Sequence, residues 1–382
     1  MTDRHISIAM NGVTGRMGQN QHLERSIVAI RDQGGVEVPG GDRLIPEPIL
    51  VGRNADKLAE LANHYGVERW STDVASVLGD PDVEIYFDAQ LTSLRADAVR
   101  AAIDAGKAIY CEKPLAEDSE TARDLYRLAE DAGISHGIVQ DKLFLPGLIS
   151  LRRLIDSRFF GRILSIKGDF GYWVFEGDIE PSQRPAWNYR AADGGSIILD
   201  MFPHWQYVIE GLFGRIKSVT VLGATHIPTR YEDGVAYDAT ADDAAYAMME
   251  LESGAVVQIN SSWATRVYRD ELVVFQVDGV DGSAVAGLRE CRQQHRSATP
   301  RPVWNPDVPN PIDFRSGWLD VPQVGDPENG FKLQWEGFLR HVALGDAFPW
   351  DFSAGVRGLE LVDAAMRSWS ERRWVDLVEV EA

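Results

Sequence analysis

A lysine preceded by an acid and followed by a proline stands directly after a short apolar run. The run Ala108–Cys111 follows Ala105-Gly106-Lys107, an order typical of a buried strand that comes after the C-terminus of a helix. Glu112, Lys113 and Pro114 come next. Because ligands bind beyond the carboxyl ends of the strands in an open α/β sheet, the Lys113 amine is placed to reach a substrate and exchange protons with it. The alternative is an ordinary exposed lysine after an edge strand.

An aspartate and a histidine form a second candidate group near the middle of the chain. Asp200 and His204 are four residues apart, so a helix would place them on one face. An imidazole is a good general base near neutral pH, and Asp200 could hold its tautomer or bind a substrate hydroxyl. Pro203 is expected to interrupt this helix and kink its second half. The alternative for His204 is a helix histidine packed against Trp205 and Trp263.

A glycine-rich turn follows the first predicted strand, His5–Met10, and precedes a helix expected over about Asn20–Arg31. This context suits a dinucleotide: Gly12 permits the tight turn, Gly15 lets the backbone approach the pyrophosphate, and Gly18 lets the helix pack on the strand. The G-x-x-G-x-x-G spacing departs from the usual G-x-G-x-x-G. The alternative is a glycine-rich turn that binds no nucleotide.

The residue that follows the second predicted strand favours NADP over NAD as the cofactor. The Gly- and Pro-rich stretch Gln33–Pro48 reads as a surface loop, which delays this strand to Pro48–Val51. Arg53, rather than an acid, follows it, and an arginine there suits a 2′-phosphate. The alternative is that Arg53 is solvated and that Asn54 caps the helix Ala55–Tyr65. The residues predicted to bind the cofactor are Gly12, Thr14, Gly15, Arg16, Met17, Gly18, Arg53, Asn54, Glu112 and Lys113.

Strands and helices alternate up to about residue 145. Further strands are predicted at Arg69–Ser71, Glu84–Ala89 and Gly137–Gln140, and helices at Leu94–Ala105 and Ser119–Ala132. The alternation predicts a doubly wound parallel sheet for residues 1–145.

Strands follow one another after Gly161, which predicts an antiparallel sheet and a second domain of α+β type over residues 146–382. A helix opens this domain at Pro146, and helices are expected to close it over 330–342 and 355–369. The predicted strands are Ile163–Phe170, Val219–Leu222, Ala244–Leu251, Val256–Asn260 and Leu272–Val277.

Composition narrows the function. A chain of 382 residues favours two domains, and a net charge of −20 argues against nucleic acid and anionic membranes as partners. Cys111 and Cys291 cannot form a disulfide framework, and the first apolar run is too short for a signal peptide. These features favour a cytoplasmic protein with a small-molecule substrate.

These motifs, in this order, resemble those of the Gfo/Idh/MocA oxidoreductases (glucose–fructose oxidoreductase, inositol dehydrogenase and rhizopine catabolism). The matching features are the N-terminal glycine turn, Glu112-Lys113-Pro114, and Gly194-Gly195 followed by Asp200-x-x-x-His204, so the resemblance spans nearly the whole chain. It implies an N-terminal Rossmann domain and a C-terminal domain with an open, largely antiparallel sheet, which lines the substrate cavity and builds homodimers or homotetramers.

The resemblance also implies site roles. In the family, the lysine of the E-K-P motif lies between nicotinamide and substrate, with a cis peptide before the proline. Lys113, Asp200 and His204 are then the catalytic residues, and they also bind the substrate. The implied cofactor is NAD(P), no metal is used, and the implied reaction oxidises a secondary hydroxyl of a sugar, glycoside or cyclitol.

Two aromatic stretches are further substrate candidates. Sugars present apolar C–H faces with polar rims, which aromatic rings interleaved with hydrogen-bonding groups suit. The candidate residues are Trp173, Trp187, Asn188 and Tyr189. Core aromatics or an oligomer interface are the alternative.

Three functions stay open. An NAD(P)-dependent sugar or cyclitol dehydrogenase is favoured, and net turnover of added cofactor would identify it. A glycosidase-like or lyase-like enzyme with a retained NAD would form product without a change at the nicotinamide absorbance band. The third is a non-catalytic dinucleotide-binding regulator, which the presence of Lys113, Asp200 and His204 disfavours.

Overall fold

The computed structural model describes residues 3–325 and 328–377. It divides into two compact units: of the described residues, unit 1 contains 3–144 and 328–363, and unit 2 contains 145–325 and 364–377. Among these residues, no helix combines the length and apolarity needed to span a bilayer.

The strands and helices are as follows. The strands are β1 (Asp3–Asn11), β2 (Val36–Glu37), β3 (Arg43–Val51), β4 (Arg69–Ser71), β5 (Val83–Asp88), β6 (Ala108–Cys111), β7 (His136–Ile138), β8 (Ile163–Gly171), β9 (Ile216–Ala224), β10 (Thr229–Glu232), β11 (Val235–Asp238), β12 (Ala244–Leu251), β13 (Val256–Ser262), β14 (Val273–Gly279), β15 (Gly282–Gly287), β16 (Cys291–His295), β17 (Leu319–Asp320) and β18 (Val375–Asp376). The helices are α1 (Gly18–Val28, continued by Ala29–Asp32), α2 (Ala55–Tyr65), α3 (Val74–Leu78), α4 (Thr92–Asp104), α5 (Ser119–Asp131), α6 (Pro146–Asp156), α7 (Ile197–Phe213), α8 (Gly330–Leu344) and α9 (Phe352–Glu371).

Unit 1 contains the doubly wound parallel sheet that the sequence predicts. The strand order is β2-β3-β1-β5-β6-β7, with β4 also paired to β3. The pairs along β3-β1-β5-β6-β7 are parallel, whereas β2 runs antiparallel to β3. Because side chains alternate across a strand, the two faces carry separate cores. Ile8, Phe87 and Tyr110 belong to one cluster, and Tyr86 and Ile109 belong to the other.

The helix α8 lies in unit 1, which differs from the predicted boundary of 146–382 for the second domain. Its Trp335, Phe338 and Leu339 are fully buried in the cluster that holds Leu23 and Ile27 of α1. The chain thus returns to unit 1 because this helix has an apolar face that completes the first core. Sequence order alone placed it with its neighbours along the chain.

The strand β2 lies at Val36–Glu37 and β3 begins at Arg43, so the prediction of a surface loop over Gln33–Pro48 was wrong for residues 36–37 and 43–47. Pro46 and Pro48 made this stretch look like a loop. Both are tolerated because residues 45–48 pair with β1 on one side, while β2 and β4 reach only the ends of β3 on the other side.

Unit 2 contains the largely antiparallel sheet. Its order is β17-β16-β15-β14-β8-β13-β12-β9-β18, in which β8 and β13 pair in parallel and the other neighbours are antiparallel. The helix α7 covers one face, where Trp205 donates a hydrogen bond to Ser261 Oγ at 2.8 Å and packs against Phe275. On the opposite face, Tyr246 and Met248 of β12 remain 39% and 46% exposed. The sheet is therefore open on that face.

Candidate active site

The strand order of unit 1 reverses at β1, which has β3 on one side and β5 on the other. In doubly wound sheets the ligand binds at such a switch point, beyond the carboxyl ends of the strands. Gly12, directly after β1, has a φ of +87°, and a Cβ there would lie 2.6 Å from the backbone of Ala89 in the loop after β5. Glycine is thus required for the turn itself.

Gly15 and Gly18 meet different surroundings. A Cβ on Gly18 would lie 2.4 Å from the Gly12 carbonyl oxygen, so this glycine permits the close packing of α1 on the turn. A Cβ on Gly15 would meet nothing nearer than 3.3 Å, and Gly15 is exposed. The open side of the turn at Gly15, at the N-terminus of α1, fits a bound pyrophosphate.

The helix α1 is π-helical from Gly18 to Val28. The Ala29 backbone N–H reaches the Glu24 carbonyl oxygen, five residues back, and Ser26 Oγ donates to the Gln21 carbonyl oxygen at 2.7 Å. π-Helical turns are rare in proteins, and those that occur are frequently found at functional sites.

The Asn54 side chain caps α2 by accepting a hydrogen bond from the Lys57 N–H at 3.0 Å. This contact favours the structural interpretation of Asn54 over a role in cofactor binding. Arg53 is exposed, as is Arg16 at the glycine turn.

The loop Glu112-Lys113-Pro114 follows β6, and the Lys113–Pro114 peptide bond is cis, as the family resemblance implies. The Glu112 N–H donates to the Asp88 carbonyl oxygen of β5 at 2.9 Å, and the Lys113 N–H donates to Glu112 Oε2 at 3.1 Å. Lys113 therefore stands at the carboxyl edge of the sheet.

A buried arginine ties this loop to the neighbouring strand ends. The Arg95 side chain is 2% exposed and pairs with Asp88 Oδ1 at 3.0 Å. It also donates to the carbonyl oxygens of Gln90 and Pro114. Tyr86 donates to Asp88 Oδ2 at 2.8 Å and accepts from Asn11 Nδ2 at 2.9 Å. The ends of β1 and β5 and the loop after β6 are thus connected by one hydrogen-bonded network.

Glu112 is held by a second buried group. His22 Nε2 on α1 lies 2.8 Å from Glu112 Oε1, and Trp335 Nε1 on α8 lies 3.0 Å from His22 Nδ1. Burial alone would raise the pKa of Glu112, but the hydrogen bond from His22 and the electrostatic attraction of His22, Lys113 and Arg95 lower it.

The second candidate group lies on α7 in unit 2. The helix begins after Ser196, whose Oγ accepts from the Leu199 N–H at 3.1 Å, and it continues through Pro203 to Phe213. The interruption expected at Pro203 is absent. Most residues of α7 are buried, so packing holds the turns on both sides of the proline.

Asp200 and His204 each have a partner that the sequence did not reveal. Arg184 Nη2 donates to Asp200 Oδ2 at 2.6 Å and to Asn188 Oδ1 at 3.0 Å. The Arg184 guanidinium also lies 4.1 Å from the centre of the Trp263 ring. His204 is 7% exposed, and its Nδ1 lies 2.7 Å from the Tyr207 hydroxyl.

The aromatic candidates separate into accessible and buried residues. Trp187 is 50% exposed, whereas Asn188 is 3% and Tyr189 0% exposed. Arg230 covers the Tyr189 ring at 3.7 Å, and burial raises the Tyr189 pKa to about 12. The structure therefore favours the core alternative for Tyr189. Trp173 is partly buried, with Arg266 over its ring at 4.0 Å.

Several residues near the predicted site residues were missed from the sequence. Asp88 carried a usable signal, since it is a polar residue at the carboxyl end of a strongly apolar strand. Tyr207 carried one too, since it lies three positions after His204 on the same helix. The remaining partners lie outside the motifs that they support and carried no local signal. They are His22, Arg95, Arg184 and Trp335.

Comparison with known proteins identifies the family of both parts of the chain. Residues 6–137 match an oxidoreductase family with an NAD-binding Rossmann fold, and residues 148–285 match the GFO/IDH/MocA C-terminal domain. The chain belongs to the Gfo/Idh/MocA oxidoreductase family. This family member is an NAD(P)-dependent oxidoreductase, which confirms the resemblance, the fold and the enzyme class expected from the sequence.

Among its relatives, the D-xylose dehydrogenase of Paenarthrobacter nicotinovorans is 55% identical over 380 residues, which cover 98% of each chain. The D-xylose 1-dehydrogenase (NADP(+)) 2 of Haloferax volcanii is 23% identical, over 84% of this chain and 88% of that protein. The solved complex of a levoglucosan dehydrogenase with NADH and levoglucosan has the same fold. Its TM-score is 0.81 at 23% identity, over 98% of this chain and 100% of that one.

Proposed function

We propose that this family member is a sugar dehydrogenase whose substrate is D-xylose or a closely related aldopyranose. The observation that carries this proposal is the 55% identity to a D-xylose dehydrogenase over 98% of both chains. Sugars and cyclitols outside the pentoses remain within the class that the motifs imply.

When bound, NAD(P) supplies the acceptor for a hydride from the carbinol carbon. Gly15 and the N-terminus of α1 would hold its pyrophosphate. Lys113 hydrogen-bonds the reacting oxygen and polarises it, while His204 removes the hydroxyl proton. The Arg184 ion pair supports a role for Asp200 in binding a neighbouring hydroxyl of the sugar.

Of the two dinucleotides, NADP is proposed as the better cofactor. The exposed Arg53 after β3 supports this choice, because an arginine there can pair with a 2′-phosphate.

We also propose a homodimer or homotetramer built on the open face of the unit 2 sheet, since large exposed apolar patches are uncommon on monomers. Nucleic acid and membranes are not proposed as partners, in view of the net charge of −20. A reducing, cytoplasmic compartment is supported by Cys111 and Cys291, which are buried and not disulfide-bonded.

The test is a spectrophotometric screen with NAD⁺ and with NADP⁺ against aldopentoses, hexoses, anhydrosugars and cyclitols. D-Xylose is expected to reduce the nicotinamide, and the product identifies the oxidised carbon: a lactone for the anomeric carbon, a keto sugar for another. Lys113→Met serves as the inactive control. Failure of every sugar to reduce either dinucleotide would contradict the proposal, and product without net reduction would favour an enzyme with a retained NAD.

A further inference from the structure

His22 is fully buried in unit 1, and both of its ring nitrogens have partners. An indole N–H can only donate, so Trp335 must donate to His22 Nδ1. If Nδ1 also carried a proton, the N–H groups of Trp335 and His22 would face each other with no acceptor between them. The ring is therefore neutral, with its proton on Nε2, and it donates to Glu112 Oε1 at 2.8 Å.

The Glu112 carboxylate connects this histidine to Lys113. While Oε1 accepts from His22, Oε2 accepts from the Lys113 N–H at 3.1 Å, and the side chain is only 11% exposed. The other titratable or charged groups around it are Lys113 on the same loop, Tyr110 and Cys111 on β6, and Arg95 on α4, which pairs with Asp88 on β5.

We propose that His22 is a positioning residue for Lys113: its Nε2–H, held in that tautomer by Trp335, keeps the buried Glu112 carboxylate ionised and hydrogen-bonded to the Lys113 amide. The inference rests on the proposed role of Lys113 in polarising the substrate oxygen. It extends the machinery that positions Lys113 to His22 on α1 and Trp335 on α8, both of which are fully buried.

The physical reason is the cost of a buried charge. A carboxylate taken out of water must be compensated by hydrogen bonds or it takes up a proton. Without the His22 donor, the pKa of Glu112 is expected to rise, because burial is then opposed by one hydrogen bond fewer. A protonated Glu112 then no longer presents a negative charge beside Lys113.

The first measurement determines the protonation state of His22 in the wild-type protein. Nitrogen-15 NMR of histidine-labelled protein, with the His22 signal assigned by its loss in His22→Gln, reports which ring nitrogen carries the proton. A neutral ring with the proton on Nε2 is expected. An imidazolium, or a neutral ring with the proton on Nδ1, would overturn the inference.

The second measurement is infrared spectroscopy of the Glu112 carboxyl as a function of pH. In His22→Phe, the protonated-carboxyl band of Glu112 is expected to appear at a higher pH than in the wild type, and to be missing from His22→Phe/Glu112→Gln. His22→Gln, which keeps an N–H donor, should show the band at the same pH as the wild type. A band that appears at the wild-type pH in a folded His22→Phe protein would contradict the role assigned to His22.

Kinetics separates positioning from mere stability. In His22→Phe, NAD(P) affinity should stay within a few-fold of wild type while kcat falls about tenfold or more. The acidic limb of the pH profile of His22→Phe should shift to higher pH, so that turnover recovers as the pH rises. His22→Gln should restore most of the wild-type profile. An unchanged kcat in a His22→Phe protein whose carboxyl band has moved to higher pH would overturn the inference. The expected spectra in a protein that binds NAD(P) but oxidises no sugar would instead contradict the proposed function.

Discussion

Arg184 and Asp200 form an ion pair in which Nη2 lies 2.6 Å from Oδ2, with side chains 20% and 28% exposed. Arg184 lies sixteen positions before Asp200, and Asn188 and Trp263 fix its guanidinium from two further directions. Asp200 is thus held by a residue outside the family motif. Arg184 thereby orients the Asp200 carboxylate, which is proposed to bind the substrate.

Arg184→Met is expected to raise the KM for the sugar by about tenfold or more, since a hydrogen bond between charged groups contributes ~1.5–3 kcal/mol. Steady-state kinetics at saturating cofactor measures the effect. Arg184→Lys keeps the charge without the planar fork and should recover part of the loss. A sugar KM within twofold of wild type in Arg184→Met would show that Asp200 does not depend on this pair.

Lys113→Met and His204→Ala should each retain cofactor binding and lose turnover by a factor of ~10² to 10⁴. Because both residues serve one proton transfer, the double variant should be far less damaged than the product of the single losses. Turnover in His204→Ala should also lose its ionisation near neutral pH. Tyr207→Phe, which removes only the partner of Nδ1, should cost much less than the loss of the imidazole.

The measurements are kcat, kcat/KM and cofactor affinity for each variant. A Lys113→Met enzyme that turns over within a few-fold of wild type would end the assignment of Lys113 as the group that polarises the substrate.

Gly15→Val should weaken NAD(P) binding by roughly tenfold or more, through loss of charge-assisted hydrogen bonds to the pyrophosphate. The fold should change less than in Gly12→Val, because a Cβ at Gly15 would lie 3.3 Å from the Gly12 carbonyl oxygen, a tight contact that a small shift of this carbonyl relieves. Titration calorimetry and thermal unfolding separate the two effects. Gly12→Val is the contrasting variant: with a φ of +87° and the Ala89 backbone 2.6 Å away, it should unfold at lower temperature.

Unaltered cofactor affinity in a folded Gly15→Val protein would refute the placement of the pyrophosphate at this turn.

Arg53→Asp should weaken NADP binding by about tenfold to more than a hundredfold and leave NAD the better cofactor, because it replaces a cation beside the 2′-phosphate with an anion. The ratio of kcat/KM for the two dinucleotides measures the change. Equal affinity of the wild type for both would argue that Arg53 is simply solvated.

Met248→Glu should dissociate the proposed oligomer, since it places a charge on the open face of β12 where Met248 is 46% exposed. Light scattering at micromolar concentration gives the mass. Leu128→Glu, at a residue 43% exposed on α5 in unit 1, is the matched control and should leave the mass unchanged. A wild-type protein of monomer mass would rule out the assembly.

Local pattern determined a large part of the fold. The run Ala108–Cys111 was predicted with the bounds that β6 has, and β12 likewise matches its prediction of Ala244–Leu251. The alternation of short apolar runs with amphipathic segments is a property of neighbouring residues, so the sequence displays it directly. Contiguous motifs behave in the same way: the turn at Gly12 and the loop at Lys113 are visible because their residues are adjacent.

The predictions failed where the local conformational preference of a residue was overridden by tertiary packing. Pro46 and Pro203 each suggested a break, yet β3 and α7 continue through them because neighbouring elements hold the backbone in place. The return of α8 to unit 1 was also missed, because an apolar helix face does not indicate which of the two cores the helix packs against.

Lys113 and the pair Asp200 and His204 could be selected from the sequence alone, because residue type and spacing limit their chemistry. Apart from Tyr207, which lies three positions after His204, their supports could not be selected, because a hydrogen bond between residues of different elements leaves no periodic signal. Trp335 and His22 are separated by 313 positions and meet only when α8 packs on α1. The hydrogen-bond partners of that histidine, and with them the contacts of the Glu112 carboxylate beside Lys113, were decided by tertiary structure.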